Sequence, residues 1–345
     1  MRIGILSVMS VFLFLTGCAS SQSDVATLDC SAATNPCAGL SAIDRKYAER
    51  NPRHYADVAR AKELLDSWYG QQQRLLEAAR LLENVLRVDD EFAPAVLQYG
   101  RVFGRAAYIS GRQYDPELLA QSRTWFLKAI ELEPDYAEAF IKLSSNYINS
   151  GRYDEAREAL ARAEEIGTDD PGVLLNYAAM LRREGRDQAA LELYERIIEQ
   201  GKRDDPAFAA AAGLMASIYV DDGRYEEAKA AYELRLEVAP DSAWYWGGYS
   251  RFLLFRLGDV DGAIASGRTA LSIMSYGEGR FGLACALFTK WGMMVEENGD
   301  TEASQRVFDE AFGLYPDLDR VIRLTEAHEH TKVAATQLSL RAKGR

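Results

Sequence analysis

The apolar residues of Ala137–Asp170 follow the spacing of two short helices joined by a turn. One face of the first helix carries apolar or small residues at i, i+3, i+4 and i+7, namely Phe140, Leu143, Ser144 and Tyr147. After a break at Asn149–Gly151, a second stripe at helical spacing consists of Tyr153, Ala156, Leu160 and Ala163. Neither helix can bury its stripe alone. A neighbouring copy must cover it, which predicts a solenoid of stacked helical hairpins.

The length and residue pattern of this unit recur along the chain. From Ala137 to Pro171 the period is 34 residues, and the pattern resembles the tetratricopeptide repeat (TPR). The positions that carry the resemblance hold Phe140, Leu143-Ser144, Tyr147, Gly151, Ala156, Leu160 and Ala163. About seven such units fill residues 55–316. Within the C-terminal segment 317–345, Asp317–Gln337 has the pattern of a single amphipathic capping helix, and a basic tail follows it. The resemblance implies an all-α, TPR-like α-solenoid of antiparallel helical hairpins.

Three local features refine this prediction. Ala156 and Ala228 stand where the two helices of a hairpin approach most closely, whereas Arg235 replaces an expected small residue and should weaken that contact between repeats. The unit that begins near Ala93 is about ten residues too long, and the excess lies in 105–120. Two extended helices, the second capped by Asp115-Pro116, would account for it. Such an extension would be either part of a binding face or a tolerated surface feature.

The N-terminus predicts export and lipid attachment. The mostly apolar run Ile3–Leu15 has 13 residues. A membrane span needs about 20, so this run has the character of a signal-peptide core. Leu15-Thr16-Gly17-Cys18 resembles the lipobox of bacterial lipoproteins, which implies a signal peptide over 1–17 and a lipid on Cys18. An ordinary secretory signal beside an unrelated cysteine is the alternative. No Asp follows Cys18, and in the sorting rule known for many such lipoproteins this implies the outer membrane, facing the periplasm.

Residues 18–54 have the pattern of a tether that leads from the lipid into the repeats. Within it, Cys30 and Cys37 bound a short polar stretch, and an oxidising compartment would allow them to form a disulfide. A metal site is the weaker interpretation, because no histidine or further cysteine is near. Cys285 lies in an apolar helical segment instead, and we expect it to be a buried small hydrophobe.

Composition and charge narrow the function classes. The chain has 345 residues and a net charge of −12, and no basic face of the kind that nucleic-acid binding requires is visible. It carries no nucleophile–base constellation, phosphate-binding loop or dinucleotide motif, so we expect no catalytic residue and no cofactor. His328 and His330 are two residues apart and would point to different sides of a helix, which argues against a metal site.

The first helix of each repeat lines a concave groove in the TPR family, and the resemblance places Tyr245, Tyr249 and Phe252 there. Small residues in the flanking units would leave an apolar hollow around them, into which a helix or an extended segment could dock. The alternative is that the three aromatics pack on a neighbouring helix or on the C-terminal cap. We do not expect the carboxylate clamp known in some TPR grooves, since its positions hold Ile141, Ser145, Asn176, Ala210 and Leu214.

These features predict a non-enzymatic, lipid-anchored periplasmic scaffold that binds another protein. The partner would belong to an envelope assembly such as pilus, secretion, cell-wall or polysaccharide machinery. The protein would contact the membrane through its lipid and would not bind nucleic acid. The alternative is a solute-binding accessory component that holds a small ligand in the groove.

Overall fold

The computed structural model describes residues 39–110 and 113–343, and most of these residues are helical. The helices are α1 (Ala42–Arg50), α2 (Pro52–Asp66), α3 (Gln72–Val88), α4 (Ala93–Ala106), α5 (Pro116–Leu132), α6 (Ala137–Asn149), α7 (Tyr153–Ile166), α8 (Gly172–Arg183), α9 (Asp187–Glu199), α10 (Pro206–Asp221), α11 (Tyr225–Val238), α12 (Ala243–Phe252), α13 (Val260–Ile273), α14 (Gly277–Asn298), α15 (Glu302–Leu314), α16 (Leu318–Glu326) and α17 (Lys332–Lys343). A π-helical turn, Leu253–Leu257, follows α12, and a 3-10 turn, Glu329–Thr331, precedes α17. Between α4 and α5 lies an antiparallel hairpin of β1 (Tyr108–Ser110) and β2 (Gln113–Tyr114).

Consecutive helices pair into hairpins, and each hairpin packs on the next. In the described part of the chain, the pairs run from α2 with α3 to α14 with α15, and α1 packs on α2 and α4 at the N-terminal end. No hairpin has a core of its own, because its apolar faces are covered by the preceding and following units. The predicted all-α, TPR-like solenoid is confirmed.

The turns inside three consecutive hairpins are built alike. Gly151 has a φ of +74°, in the left-handed region that favours glycine. The N–H of Arg152 then donates to the carbonyl of Tyr147 at 2.9 Å, which closes the C-terminus of α6 as a Schellman motif. The same bond joins Arg186 to Leu181 and Arg224 to Tyr219 in the next two hairpins. The repeated turn holds the two helices of each unit in a fixed antiparallel arrangement.

Small residues fill the closest helix contacts. Ala156 and Ala228 have no exposed surface, as their repeat positions predict. Ser144 is equally buried, and its hydroxyl donates to the carbonyl of Ile141 at 2.8 Å. A buried hydroxyl with such a bond adds no unpaired polar group to the packed interface.

The insertion in the second hairpin differs from the prediction. Extension of both helices is wrong for α4, which ends at Ala106, because the chain folds back there as the β1–β2 hairpin. Tyr108 and Ile109 are residue types that favour strands. The predicted cap is present, since the Asp115 carboxylate accepts from the N–H groups of Glu117 and Leu118.

The two ends of the solenoid also differ from the prediction. Helix α1 and the start of α2 lie inside the predicted tether 18–54, because Tyr47 and Ala48 give α1 a buried apolar face. At the C-terminus, the single capping helix predicted over 317–337 is instead the pair α16 and α17. The Thr331 hydroxyl fixes the turn between them by donating to the carbonyl of Thr325 at 2.7 Å, and α17 packs on α14.

Candidate functional site

The inner face of the solenoid lines a half-open cavity of about 550 Å³. Most of its wall comes from the first helices of five hairpins, α2, α4, α6, α8 and α10, and the β1–β2 hairpin adds Tyr108 and Tyr114. This volume lies in the range of about 300–1,000 Å³ that is typical of ligand-binding clefts. The insertion therefore contributes to a candidate site instead of projecting away from the repeats.

Contacts between the loop that follows α2 and the start of α12 close the cavity on one side. The rings of Trp68 and Trp244 lie 5.8 Å apart, and those of Tyr69 and Tyr245 lie 5.2 Å apart, both edge to face. Gly70 makes this approach feasible, because a Cβ at that position would lie 2.2 Å from Cζ2 of Trp244. The concave face is therefore closed into a ring over this part of the chain.

One group of charges in the cavity wall is internally paired. Lys62 Nζ lies 3.0 Å from the Glu138 carboxylate, Lys142 Nζ lies 4.0 Å from it, and Arg101 is paired with Asp66. Burial alone would raise the pKa of Glu138, but the surrounding cations outweigh that effect and hold it at about 2. Glu138 is therefore a carboxylate at neutral pH and holds α6 against α2.

The other two carboxylates of the cavity wall are engaged by helix N-termini. Asp170 accepts from the N–H of Gly172 at 2.7 Å, at the start of α8. Asp205 accepts from the N–H of Ala207 at 2.8 Å, at the start of α10. Carboxylates are stabilised at this end of a helix by free N–H groups and by the helix dipole.

Two guanidinium groups in the wall, by contrast, have no carboxylate partner among the described residues. Arg105 lies 5.6 Å from the ring centre of Trp68, and burial, together with the nearby charge of Arg101, lowers its pKa to about 10. Arg235 stacks on Tyr245 at 3.4 Å, and its Nε is buried without a hydrogen-bond partner in the described part of the chain. Both side chains line the cavity.

The structure places only one of the three predicted groove aromatics in the cavity. Tyr245 lines it, but Tyr249 and Phe252 are buried, with 8% and 4% of their surface exposed. Their rings pack on Tyr232 of α11, and the Tyr249 hydroxyl donates to Glu233 at 2.8 Å. The prediction that Tyr249 and Phe252 face an open groove is therefore wrong, because a neighbouring helix covers this face of α12.

The residues at the clamp positions have other roles. The Asn176 amide donates to the carbonyl of Ile141 at 3.0 Å and to the hydroxyl of Ser144 at 2.8 Å. Its donors therefore join α8 to α6. Ser145 and Ala210 line the cavity, and neither side chain carries a charge.

The cysteine and metal predictions fall on different parts of the chain. Cys18, Cys30 and Cys37 lie outside the described residues. Cys285 is fully buried, as predicted, and burial raises its pKa to about 12. Among the described residues, no group of three or more His, Cys, Asp or Glu is arranged to hold a metal ion. No helix in that part is both long enough and apolar enough to cross a membrane.

Sequence reasoning missed Arg105 and misread Arg235. The signal for Arg235 was a large cation at a position where the repeat pattern has a small residue. Its counterpart is Gly213 on α10, where a Cβ would lie only 2.4 Å from Cζ of Arg235. The glycine opens a path over α10, through which the side chain of Arg235 reaches the cavity from the outer helix α11.

Comparison with protein families agrees with this architecture. Three models described as tetratricopeptide repeat match residues 124–179, 170–241 and 214–278. Together they cover the chain without a gap from α5 to α13. The protein contains tetratricopeptide repeats. The described hairpins on both sides of the matched region extend the same solenoid.

Similar proteins share the repeats over part of their length. Cytochrome c-type biogenesis protein CycH of Pseudomonas aeruginosa is 25% identical over 114 residues, which are 33% of this chain and 28% of that protein. Tetratricopeptide repeat-containing protein trd-1 of Caenorhabditis elegans is 27% identical over 141 residues, which are 38% of this chain and 18% of that protein. The matches thus span less than a third of these relatives.

Among solved structures, the human IFIT1 dimer with m7Gppp-AAAA has a TM-score of 0.55 at 16% identity. The match covers 84% of this chain and 64% of that one. At this identity the likeness concerns the fold alone.

Proposed function

We propose that this protein is a lipid-anchored TPR scaffold on the periplasmic face of the outer membrane, and that the cavity on its inner face binds an extended segment of a partner protein. The cavity carries this proposal, because side chains from five successive hairpins converge on it and two cationic groups there lack a carboxylate partner among the described residues. An α-helix with its side chains is about 10–12 Å wide, so a cavity of this size would hold little more than one turn. An extended segment or a chain end therefore fits better than a helix.

The envelope setting is supported by the N-terminal sequence. The apolar run that ends in Leu15-Thr16-Gly17-Cys18 is typical of exported lipoproteins, and the absence of Asp after Cys18 favours the outer membrane. The relative CycH is named for cytochrome c-type biogenesis. That name adds assembly of c-type cytochromes to pilus, secretion, cell-wall and polysaccharide machinery as settings for the partner.

Site-specific photocrosslinking in the intact envelope tests the partner site. A photoreactive amino acid at Ser145 would face the cavity, and the matched control is Ala161, which is exposed on the outer helix α7. We expect a discrete protein adduct from position 145 and none from position 161. Adducts that form only from position 161, or equally from both, would show that the partner does not use the cavity.

Metabolic labelling tests the anchor. We expect labelled palmitate to enter the wild-type protein and to be absent from Cys18→Ala, which should leave the outer-membrane fraction. Cys285→Ala is the matched control, since Cys285 is buried in the repeats and should not affect labelling. Wild-type protein that takes up no label would contradict the anchor.

A small-molecule function is the second candidate, and the volume of the cavity favours it. Native mass spectrometry of protein purified from gently solubilised membranes distinguishes the protein-binding function from the solute-binding function. A stoichiometric bound compound of low mass, displaced when the cavity is blocked by a large side chain at Ser145, would support solute binding.

A further inference from the structure

The charges that line the cavity are not balanced locally. All four carboxylates already have partners: Glu138 is bonded to Lys62, Asp66 to Arg101, and Asp170 and Asp205 to backbone N–H groups. On the cationic side, Lys62, Lys142 and Arg101 are paired in the same contacts. Arg105 and Arg235 are the two cations of this wall without a carboxylate partner among the described residues.

Neither arginine is an ordinary surface residue. A charge that is removed from bulk water is unfavourable unless another group compensates it. Surface arginines of this chain, such as Arg157 and Arg162, bond to nearby carboxylates. The cavity arginines instead contact aromatic rings, with Arg105 beside Trp68 and Arg235 on Tyr245. Since no carboxylate of the described residues pairs with either guanidinium, their N–H donors can bind a group that enters from outside.

The aromatic contact that closes the ring connects the two arginines. On one side of it, the ring of Tyr245 stacks on the guanidinium of Arg235 at 3.4 Å and packs edge-on against Tyr69. On the other side, Trp68, the chain neighbour of Tyr69, lies with its ring centre 5.6 Å from the guanidinium of Arg105. The two cationic groups therefore belong to one region of the cavity, next to the aromatic contact that closes the ring.

We propose that Arg105 and Arg235 form a binding site for an oxyanion, either a carboxylate or a phosphate, on a ligand whose apolar or aromatic part packs against Tyr69 and Tyr245. A guanidinium matches both oxyanions with two parallel N–H donors, and a stacked aromatic ring fixes its plane. This inference deepens the proposed function, since it names the group by which the bound segment or solute would be held. The two arginines lie outside the TPR clamp positions, which hold Ile141, Ser145, Asn176, Ala210 and Leu214.

Titration of the full chain in detergent with small probes tests the site directly. The probes are 3-phenylpropionate, phenyl phosphate and the neutral amide 3-phenylpropionamide. We expect one of the two anions to bind about tenfold or more tightly than the amide, because a hydrogen bond to a charged group is stronger than one between neutral groups. The preferred anion identifies the oxyanion, and binding that weakens with added salt confirms the role of charge.

Variants assign the binding to the two arginines. We expect Arg105→Gln and Arg235→Gln each to weaken binding of the preferred anion by about tenfold, and the exposed-residue control Arg45→Gln to leave it within about twofold. Gly213→Ala changes no arginine, but its added Cβ blocks the path by which the Arg235 side chain crosses α10. It should therefore weaken anion binding as well. Alanine is the better helix former, so a loss of binding there at an unchanged or higher thermal midpoint would not be due to unfolding.

If neither anion binds more tightly than the amide, or if neither anion binds at all, the inference is overturned even when an arginine variant fails to fold, since this comparison uses the wild-type protein. Anion binding that survives in both arginine variants would overturn it too. The outcome is independent of the partner experiment. Anion binding without a crosslink from position 145 would retain the site and reject the protein-binding function, whereas a crosslink without anion binding would do the reverse.

Discussion

Ala156 illustrates how single small residues determine the spacing of the helices. It is fully buried between the helices of its hairpin, so added volume has no room to expand into. Its repeat position predicted this correctly, because the closest approach of two helices recurs at a fixed place in the unit. Charged positions were harder to predict, because the sequence does not show which acid meets which base across the stacked units.

We expect Ala156→Leu to lower the free energy of unfolding by about 1–3 kcal/mol, because the larger side chain overpacks the contact between α6 and α7. Ala161→Leu is the matched control, since Ala161 is exposed on the same helix and its substitution should change stability by less than about 0.5 kcal/mol. Denaturant unfolding of the two variants measures the difference. Equal unfolding midpoints would contradict the assigned packing.

The buried carboxylates predict how stability depends on pH. The pKa of Glu138 is held at about 2, below its value in an unfolded chain of about 4.3. Its contribution to stability is therefore fully present above about pH 4.3 and is lost as the pH falls towards 2. Burial, reinforced by the charge of Glu138, raises the pKa of Asp44. The effect of Asp44 on stability therefore has the opposite pH dependence. Its contribution to the free energy of unfolding is lost as the pH rises through its folded-state pKa.

Glu138→Gln isolates the first contribution. At pH 7 we expect the variant to be less stable by about 1–2 kcal/mol, because Lys62 loses its partner but is partly exposed and screened by solvent. The gap to the wild type should narrow as the pH falls from about 4.3 towards 2, because the unfolded wild-type chain then binds a proton at Glu138 while the folded protein still holds it as a carboxylate. Glu165→Gln, at an exposed pair with Arg162, should differ little from the wild type at any pH. A gap that stays constant from pH 7 to pH 3 would contradict the pKa shift of Glu138.

At the scale of the helices, the periodic pattern predicted well which segments are helical and which helices pair. It did not predict which neighbouring helix covers each apolar face. The stripe of α12 was recognised as helical, yet the pattern could not show that α11 would cover Tyr249 and Phe252. The β1–β2 hairpin and the α16–α17 pair were missed for different reasons. At 105–120 the excess length was assigned to two longer helices, although Tyr108 and Ile109 favour strands. At 317–337 the pattern is that of one helix, and the turn that divides it is held by the bond from the Thr331 hydroxyl to the carbonyl of Thr325.

Substitutions on α12 should therefore have different effects on the face that α11 covers and on the face that lines the cavity. We expect Phe252→Ala to lower the free energy of unfolding by about 3–5 kcal/mol, because it removes a buried ring from the stack with Tyr232. Tyr245→Ala should lower it by about 1 kcal/mol, since that ring lies half-buried at the cavity wall. Chemical denaturation compares the stability of the two variants, and titration with the anion probes compares their binding. Binding should be lost in Tyr245→Ala and, at temperatures where it is folded, retained in Phe252→Ala.

At the scale of the whole molecule, the least predictable feature is the closure of the solenoid into a ring. Repeats specify contacts between neighbouring units, and the curvature that accumulates over several units is too small per unit to infer from sequence. Trp68 and Trp244, which make the contact, belong to units far apart in the chain and carry no motif. The cavity, and with it the juxtaposition of Arg105 and Arg235, depends on that accumulated curvature.

The last prediction tests this closure. Trp244→Ala removes the ring that meets Trp68 and fills the space beside Gly70, so we expect the two sides of the cavity to separate. Spin labels on cysteines introduced at the exposed positions Gln73 and Asp241, in a chain without other reactive cysteines, report the distance across the closure. The distance is measured by pulsed electron–electron double resonance. The variant should show a longer or broader distance distribution than the protein with Trp244 intact. Trp246→Ala is the matched control, because that indole bonds to the carbonyl of Pro240 instead of contacting Trp68 and should leave the distribution unchanged.

Since most stabilising contacts in a solenoid lie between adjacent hairpins, Trp244→Ala should lower the thermal midpoint only slightly while weakening the binding of the anion probe. An unchanged distance distribution would mean that the curvature of the stacked hairpins, and not the aromatic contact, holds the ring closed.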